Sequence, residues 1–207
     1  MMDTALFIKS LLLGFAIAAP LGPIGALCIS RTLDRGFWAG MVGGLGTALA
    51  DALYATLAAL GFATFAALLT QIDSPMRLLG GAFMIWLGWR SISSRPSPGA
   101  ARIGASDLLG TMLATFMLTL TSPLTIVSFT AIFAGLGLAN DARNGGAVMV
   151  VAGIFLGSLT WWALLSGGVA LAHKRLPASF AIWVARISGA VLIGFGALAI
   201  GSLAWID

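Results

Sequence analysis

Long apolar stretches separated by short polar connections form the main pattern of this chain. A helix needs about 20 mostly apolar residues to cross a bilayer. The pattern therefore predicts an all-α membrane protein with six transmembrane helices, at about 5–30, 37–62, 76–93, 108–137, 146–170 and 182–205. The end of the second helix is left open, because residues 63–70 are apolar as well.

The predicted helices fall into two halves. Residues 94–107 form the longest connection and contain Arg-Pro-Ser-Pro-Gly, which is a linker composition. We therefore expect a single transmembrane domain over residues 1–207, with repeat 1 at about 1–93 and repeat 2 at about 108–207. Corresponding positions recur in order, in the pairs Pro23 and Pro123, Gly46 and Gly153, Asp51 and Ser158, Tyr54 and Trp161, Arg77 and Arg186, and Gly80 and Gly189.

Three spans per half have a topological consequence. An odd number of spans inserts the second copy upside down, which predicts two inverted three-helix repeats.

Composition excludes a soluble protein and a nucleic-acid-binding protein. With 59% hydrophobic and 9% charged residues, the chain cannot cover a soluble surface, which needs roughly 25% charged residues. The net charge of +4 is spread over single basic residues at segment ends, so we expect no nucleic-acid partner.

The basic residues also predict orientation. On one side, the connections between helices 1 and 2, 3 and 4, and 5 and 6 carry seven: Arg31, Arg35, Arg90, Arg95, Arg102, Lys174 and Arg175. The opposite side carries three: Lys9, Arg77 and Arg143. Because cytoplasmic connections carry the excess of Lys and Arg, we expect a multi-pass membrane protein with both termini outside the cytoplasm, which is the periplasmic side in a bacterial inner membrane.

Proline and glycine predict a break in helix 1. In the sequence Pro20-Leu21-Gly22-Pro23-Ile24-Gly25, two prolines remove backbone donors and two glycines add freedom. Freed carbonyls in hydrocarbon are costly unless protein or water satisfies them, so the break should face the interior or a wet cavity. Pro123 predicts a matching break in helix 4. A kink that only aids packing is the alternative at both places.

Helix 4 carries hydroxyl side chains at helical spacing, namely Thr111, Thr115, Thr119 and Ser122, with Thr125 continuing the stripe approximately. Residues at this spacing share one face. The stripe leads to Pro123, and it either lines a cavity or consists of hydroxyls that bond to their own helix backbone.

Asp51 is the strongest candidate for a functional residue. A carboxyl near the centre of a spanning helix costs roughly 2.5–3.5 kcal/mol on insertion scales, and such residues normally face the interior and have a function. Thr47, Asp51 and Tyr54 form one polar face. Burial penalises the charged carboxylate, so Asp51 could exchange a proton or pair with a substrate cation; a structural carboxyl bonded to Tyr54 is the alternative. Ser158 and Trp161 lie opposite Asp51 by the repeat, with Trp162 beside them. The two tryptophans either close a pocket and bind a substrate ammonium by cation–π contact, or simply pack.

Other chemistry finds little support in the sequence. Cys28 and His173 are isolated and no metal-ligand cluster is visible, so no metal and no cofactor are expected. The chain shows no nucleophile–base pair and no second ionisable group near Asp51. It is therefore not expected to be an enzyme.

Two long motifs are similar to those of the lysine exporter (LysE/RhtB) family. They are AAPLGPIGALCISRTLDRGFWAG, running on to GTALADALY, and TSPLTIVSFTAIFAGLG. The resemblance covers essentially the whole chain. It implies an inner-membrane amino-acid exporter driven by the proton gradient, with Pro20, Gly22 and Pro23 in the first proline motif and Asp51 as the acidic residue of helix 2. Ser122 and Leu124 stand where the family usually has Asn and often Lys, which leaves the substrate open.

The sequence therefore predicts a secondary transporter that exports amino acids by proton antiport, with alternating access about a midplane site. Its expected partners are an amino acid, protons and the lipid bilayer, and homo-oligomerisation is left open. The alternatives are a cation or heavy-metal exporter, a non-transporting membrane subunit and an intramembrane enzyme. The amino acid exported does not follow from the sequence.

Overall fold

A computed structural model describes residues 4–19, 22–93, 105–122, 125–126, 129, 146–173 and 178–205. Within these, it describes the backbone alone at 60–73, 76, 91, 105–106, 173, 178–181, 185 and 204–205. Every regular element in these residues is a helix, as the apolar pattern predicts. The elements are α1 Thr4–Ala18, α2 Pro23–Arg35, α3 Phe37–Ser93, α4 Ala105–Leu120, α5 Ala147–His173 and α6 Ala178–Gly201, followed by the 3₁₀ helix Ser202–Trp205.

Three stretches of the described residues are long and apolar enough to cross a membrane: Phe37–Ala59, Ala147–Ala172 and Ile182–Gly201. A fourth span is possible if α1 and α2 together form one crossing, bent by 81° at their junction. The chain is thus a helical membrane protein. The described residues define three or four spans, and the count of six stays a prediction.

The bend between α1 and α2 follows from local sequence. A residue before proline disfavours the helical region, and α1 ends at Ala18, just before the residue that precedes Pro20. Helix α2 begins with Pro23 at its first position and Gly22 as its extended N-cap, where the missing proline N–H costs nothing. The predicted break of helix 1 is therefore present as two helices.

Helix α3 covers both the second and the third predicted helices. Its 57 residues would extend for about 85 Å if straight, far beyond a hydrocarbon core of about 30 Å. The two ends of α3 pack on α4 in opposite directions. Gly43 lies beside Thr111 and Tyr54 beside Leu120, so the first half, Phe37–Ala59, runs parallel to α4.

The second half of α3, residues 77–93, runs antiparallel to α4. Gly80 lies beside Thr121 at the end of α4, whereas Arg90 shares a pocket with Asp107 at its start. The path of α3 therefore reverses direction between Ala59 and Arg77, within one continuous run of helical residues. Two antiparallel segments replace the separate helices 37–62 and 76–93 of the sequence prediction.

The remaining helices pack around α3. Helix α5 is antiparallel to the first half of α3, where Gly44 meets Trp162, and it lies alongside α1 in the same direction. Helix α6 is antiparallel to the second half of α3. The largest apolar core joins α1, α3 and α5 around Ile154 and Ala55. Polar side chains placed among these helices are therefore enclosed by protein.

The break predicted in helix 4 at Pro123 lies at the edge of the described residues. Helix α4 ends at Leu120, three residues before Pro123, and Ser122 precedes that proline. Pro123 itself, Pro20 and the predicted connection 94–104 lie outside the described residues, as does most of the predicted helix beyond residue 126.

Candidate functional site

A cavity of about 140 Å³ lies at the junction of α1 and α2. We call it the central cavity. Helices α1, α2, α3 and α5, the end of α4 and the turn that follows α4 all contribute to its wall, which consists of Ile17, Ala18, Gly22, Pro23, Ile24, Gly25, Thr47, Asp51, Thr119, Ser122, Thr125 and Trp162. A cavity of similar size in another protein holds a benzene molecule. The central cavity is therefore large enough for one small solute.

The N-terminus of α2 forms one side of the central cavity. Gly22 is extended and offers no side-chain cap, and the first intrahelical bond runs from Ala26 N to the Gly22 carbonyl at 3.0 Å. The N–H groups of Ile24 and Gly25 precede that bond and by position have no acceptor within the helix. A helix start of this kind favours anions, through free N–H groups and the helix dipole.

Asp51 forms another part of the wall, on the first half of α3. Its side chain is only 2% exposed. Ser158 Oγ on α5 donates a hydrogen bond of 2.7 Å to Asp51 Oδ2. No Lys, Arg or His belongs to the described wall of the cavity, so Asp51 is held by a neutral partner. A carboxyl placed in this way is available to a proton or to a cationic group of a solute.

Thr47 precedes Asp51 by one turn and lines the same cavity. Its hydroxyl lies 3.5 Å from the Gly43 carbonyl, which makes a long and weak bond. The Thr47 hydroxyl is thus only loosely engaged by its own helix and can reorient toward a polar solute.

The hydroxyl stripe of α4 divides among three environments. Thr111 bonds to the Asp107 carbonyl at 2.9 Å, while Thr115 reaches across to the Gly43 carbonyl at 2.7 Å and joins α4 to α3. Thr119 lines the central cavity and also bonds to the Thr115 carbonyl at 2.8 Å. Backbone bonding and cavity lining, the two interpretations offered by the sequence, therefore both occur within one stripe. Ser122 and Thr125 complete the cavity-lining part.

Three residues named from the sequence lie near the central cavity but not in its described wall: Ser158, which bonds to Asp51, and Tyr54 and Trp161. Tyr54 is buried one turn beyond Asp51, and its hydroxyl donates to the Leu120 carbonyl at 2.5 Å. Trp161 packs edge-on against Phe15, with ring centroids 5.2 Å apart. Tyr54 joins the first half of α3 to the end of α4, and Trp161 joins α5 to α1.

Of the two tryptophans that the sequence offers as pocket-closing residues, Trp162 lines the central cavity. It is four residues after Ser158 and shares its face of the helix. The apolar wall residues Ile17, Ala18 and Ile24 were not singled out from the sequence, because nothing in their residue types distinguishes them from packing residues. Among the described residues, no group of three or more His, Cys, Asp or Glu side chains could hold a metal ion.

The fold and the central cavity together define a helical membrane protein with a polar site enclosed between its helices. Residues 15–202 match the model of the family described as LysE type translocator. This chain belongs to that family, as the two proline motifs predict.

Three curated relatives illustrate the similarity. The "Uncharacterized membrane protein YahN" of Escherichia coli K12 is 30% identical over 79% of this chain and 75% of its own length. The "Putative amino acid efflux protein YcgF" of Bacillus subtilis is 25% identical over 92% and 93%. The "Chemotactic transduction protein ChpE" of Pseudomonas aeruginosa is 29% identical over 76% and 78%. No solved structure matches the chain.

Proposed function

We propose that this chain is a secondary transporter that exports amino acids across the bacterial inner membrane in exchange for protons. One observation carries the proposal: a buried carboxyl, Asp51, and the N-terminus of α2 line the same small cavity. Membership of a translocator family supports transport, and the efflux named for the Bacillus subtilis relative supports amino acids as substrates.

The two polar features of the cavity complement an α-amino acid. The substrate carboxylate would accept hydrogen bonds from the N–H groups of Ile24 and Gly25, where the helix dipole favours negative charge. The substrate ammonium would pair with Asp51, which the neutral Ser158 hydroxyl leaves uncompensated. Thr47 and Thr119 would supply further hydrogen bonds from the wall.

Asp51 would also carry the coupling proton. A buried carboxylate without a cationic partner is unfavourable, so Asp51 would be ionised when the ammonium is bound and protonated when the cavity is empty. Binding of substrate and proton would thus exclude each other at one side chain, which is the requirement for antiport.

The packing directions support an inverted repeat. Helix α1 and α4 run in opposite directions, as do the first half of α3 and α5, and the second half of α3 and α6. Asp51 and Ser158, equivalent in the two repeats, touch each other as residues on a two-fold axis do. We propose that repeats 1–93 and 108–207 rock about this axis to open the cavity to either side.

A second pair of contacts follows the same symmetry. A Cβ atom built on Gly88 would lie 2.5 Å from the Gly189 carbonyl oxygen, and one on Gly81 would lie 2.8 Å from that of Gly196. If each first-half glycine is replaced by the residue 108 positions later, one contact becomes the other. This offset is one residue shorter than the one that pairs Arg77 with Arg186 and Gly80 with Gly189 in the sequence. This relation supports two copies of one helical unit.

Three arginines support one orientation of the chain in the membrane. Arg31, Arg35 and Arg90 gather around one pocket and thus at one end of the helices. The cytoplasmic side attracts such residues, so both termini would be periplasmic. Fusion of a C-terminal reporter active only in the periplasm checks this: no reporter activity, with an active cytoplasmic reporter, would reverse the orientation.

The function is tested by efflux from proteoliposomes loaded with radiolabelled amino acids, one at a time, under an imposed pH gradient. Wild type should release at least one of them faster with the gradient than without it. Asp51→Asn should lose at least ninety per cent of the gradient-driven rate. Thr160→Val is the matched control, since Thr160 is exposed on α5 and bonds to its own helix.

Three results would contradict the proposal. Undiminished gradient-driven efflux in Asp51→Asn would remove the role given to Asp51. Efflux of divalent cations, with none of any amino acid, would favour the cation exporter. The absence of any transport by purified wild type, together with a copurifying protein in equal amount, would favour the non-transporting subunit.

A further inference from the structure

A second and larger cavity, of about 370 Å³, lies where the end of α2, the end of α3 and the start of α4 meet. We call it the arginine pocket. Its wall contains three arginines and one aspartate, Arg31, Arg35, Arg90 and Asp107, and the other lining residues are mostly apolar. None of the cavity-lining residues of the proposed transport site belongs to it.

Positive charge prevails in the arginine pocket. Asp107 pairs with Arg35 at 3.4 Å. Arg31 is half-buried, and it forms no hydrogen bond or ion pair with any residue in the described part of the chain. The charged side chains that act on Arg31 are Arg35, Arg90, Asp34 and Asp107, so three guanidinium groups face two carboxylates. An anion between Arg31 and Arg90 would relieve this repulsion.

Apart from Thr111, the rest of the pocket wall is apolar and continues to the outer surface. Trp86, Leu113 and Met117 are 52%, 46% and 45% exposed. In a membrane protein, exposed apolar side chains of this kind contact lipid. The Arg90 guanidinium lies over the Trp86 ring, 5.6 Å from its centroid. The basic end and the apolar wall therefore meet at Arg90.

We propose that the arginine pocket binds an anionic phospholipid. The phosphate would lie between Arg31 and Arg90, because guanidinium groups bind phosphate oxygens through two parallel hydrogen bonds. One acyl chain would follow Trp86, Leu113 and Met117 along the lipid-facing surface. The apolar continuation favours a lipid over a free phosphate ion, and basic pockets between membrane helices commonly hold anionic headgroups.

The test measures binding of phosphatidylglycerol to the purified full chain in a neutral detergent, by native mass spectrometry and by the lipid-dependent rise of the unfolding temperature. Phosphatidylcholine and inorganic phosphate are the comparison ligands. Wild type should retain phosphatidylglycerol and be stabilised by it, and by neither comparison ligand. Arg90→Gln should weaken binding about fivefold and Arg31→Gln with Arg90→Gln about 25-fold, since each basic residue near a lipid surface contributes about that factor.

Arg186→Gln is the matched control, because Arg186 is exposed on α6 outside the pocket; it should bind phosphatidylglycerol like wild type. Arg90 is also exposed, so its single variant should fold even if the double variant does not. Three results would overturn the proposal: equal binding of phosphatidylcholine, equal stabilisation by inorganic phosphate, or unchanged lipid affinity in Arg90→Gln.

Discussion

Ser158 Oγ on α5 donates a 2.7 Å hydrogen bond to Asp51 Oδ2 on α3, and both residues are fully enclosed by protein. This bond joins two positions that the sequence pairs between the predicted repeats. Among the described residues, this is the hydrogen bond that holds the Asp51 carboxyl. Both the stability of the helix packing and the position of Asp51 should therefore depend on it.

Ser158→Ala tests this contact. Loss of a donor to a buried carboxyl costs about 1–3 kcal/mol, so we expect a lower unfolding temperature and slower gradient-driven efflux. Ser166→Ala is the matched control, two turns later on α5. The Ser166 hydroxyl is buried without a hydrogen-bond partner among the described residues, so its removal should leave stability equal or higher. Equal losses in the two variants would mean that the bond to Asp51 contributes nothing.

The contact between Gly88 and Gly189 predicts a second stability difference. A methyl group added at Gly189 would lie 2.6 Å from the Gly88 carbonyl oxygen, and such overpacking costs about 1–3 kcal/mol. Gly189→Ala should therefore lower the unfolding temperature of the purified protein.

Gly194→Ala, on the same helix, provides the comparison. Nothing lies within 4 Å of a Cβ atom at Gly194, and alanine favours a helix over glycine by about 1 kcal/mol. Gly194→Ala should leave the unfolding temperature unchanged or raise it. If Gly189→Ala were as stable as Gly194→Ala, the helices would not approach as closely as described.

Much of the fold follows from the sequence because the bilayer imposes it. Apolar run lengths predict the spans, and proline chemistry predicts that helix 1 breaks between Ala18 and Pro23. The reversal within α3 was harder to locate. Residues 60–70 are as apolar as the spans around them, so composition does not mark where one span ends.

The candidate site was predictable where backbone chemistry or charge burial identifies a residue. Gly22, Pro23, Gly25 and Asp51 all line the central cavity. The role of the hydroxyl residues of α4 was less predictable. Helical spacing shows that they share one face, but it does not give the depth at which that face meets a cavity. The same limit applies to Trp161 and Trp162. Adjacent residues point about 100° apart around a helix. An alignment of the repeats that can shift by one residue does not tell which of the two tryptophans faces the cavity.

The turn between α2 and α3 predicts a conformational requirement. Gly36 has φ +86° and ψ 179°, a region that only glycine enters readily, at a cost of about 1–3 kcal/mol for other residues. Gly36→Ala should destabilise the protein by that amount in thermal unfolding. Gly22→Ala should not, because Gly22 has φ −99° and nothing within 4 Å of an added Cβ atom. Equal stability of the two variants would contradict the described turn.

A comparison of Thr47 with Thr56 distinguishes a hydroxyl that lines the cavity from one that only bonds within its helix. Both lie on the first half of α3 and bond to a carbonyl four residues earlier, but the Thr56 bond is 2.7 Å and that of Thr47 is 3.5 Å. Only Thr47 lines the central cavity. Valine has nearly the same shape as threonine and removes only the hydroxyl.

Thr47→Val should therefore raise the KM for efflux of the exported amino acid about five- to tenfold, the effect of one lost hydrogen bond of about 1–1.4 kcal/mol. Its unfolding temperature should stay close to wild type, because little backbone bonding is lost. Thr56→Val should leave KM unchanged and, if anything, lower stability slightly. A raised KM in both variants would indicate a general effect on α3, and an unchanged KM in Thr47→Val would place the bound substrate away from this wall of the cavity.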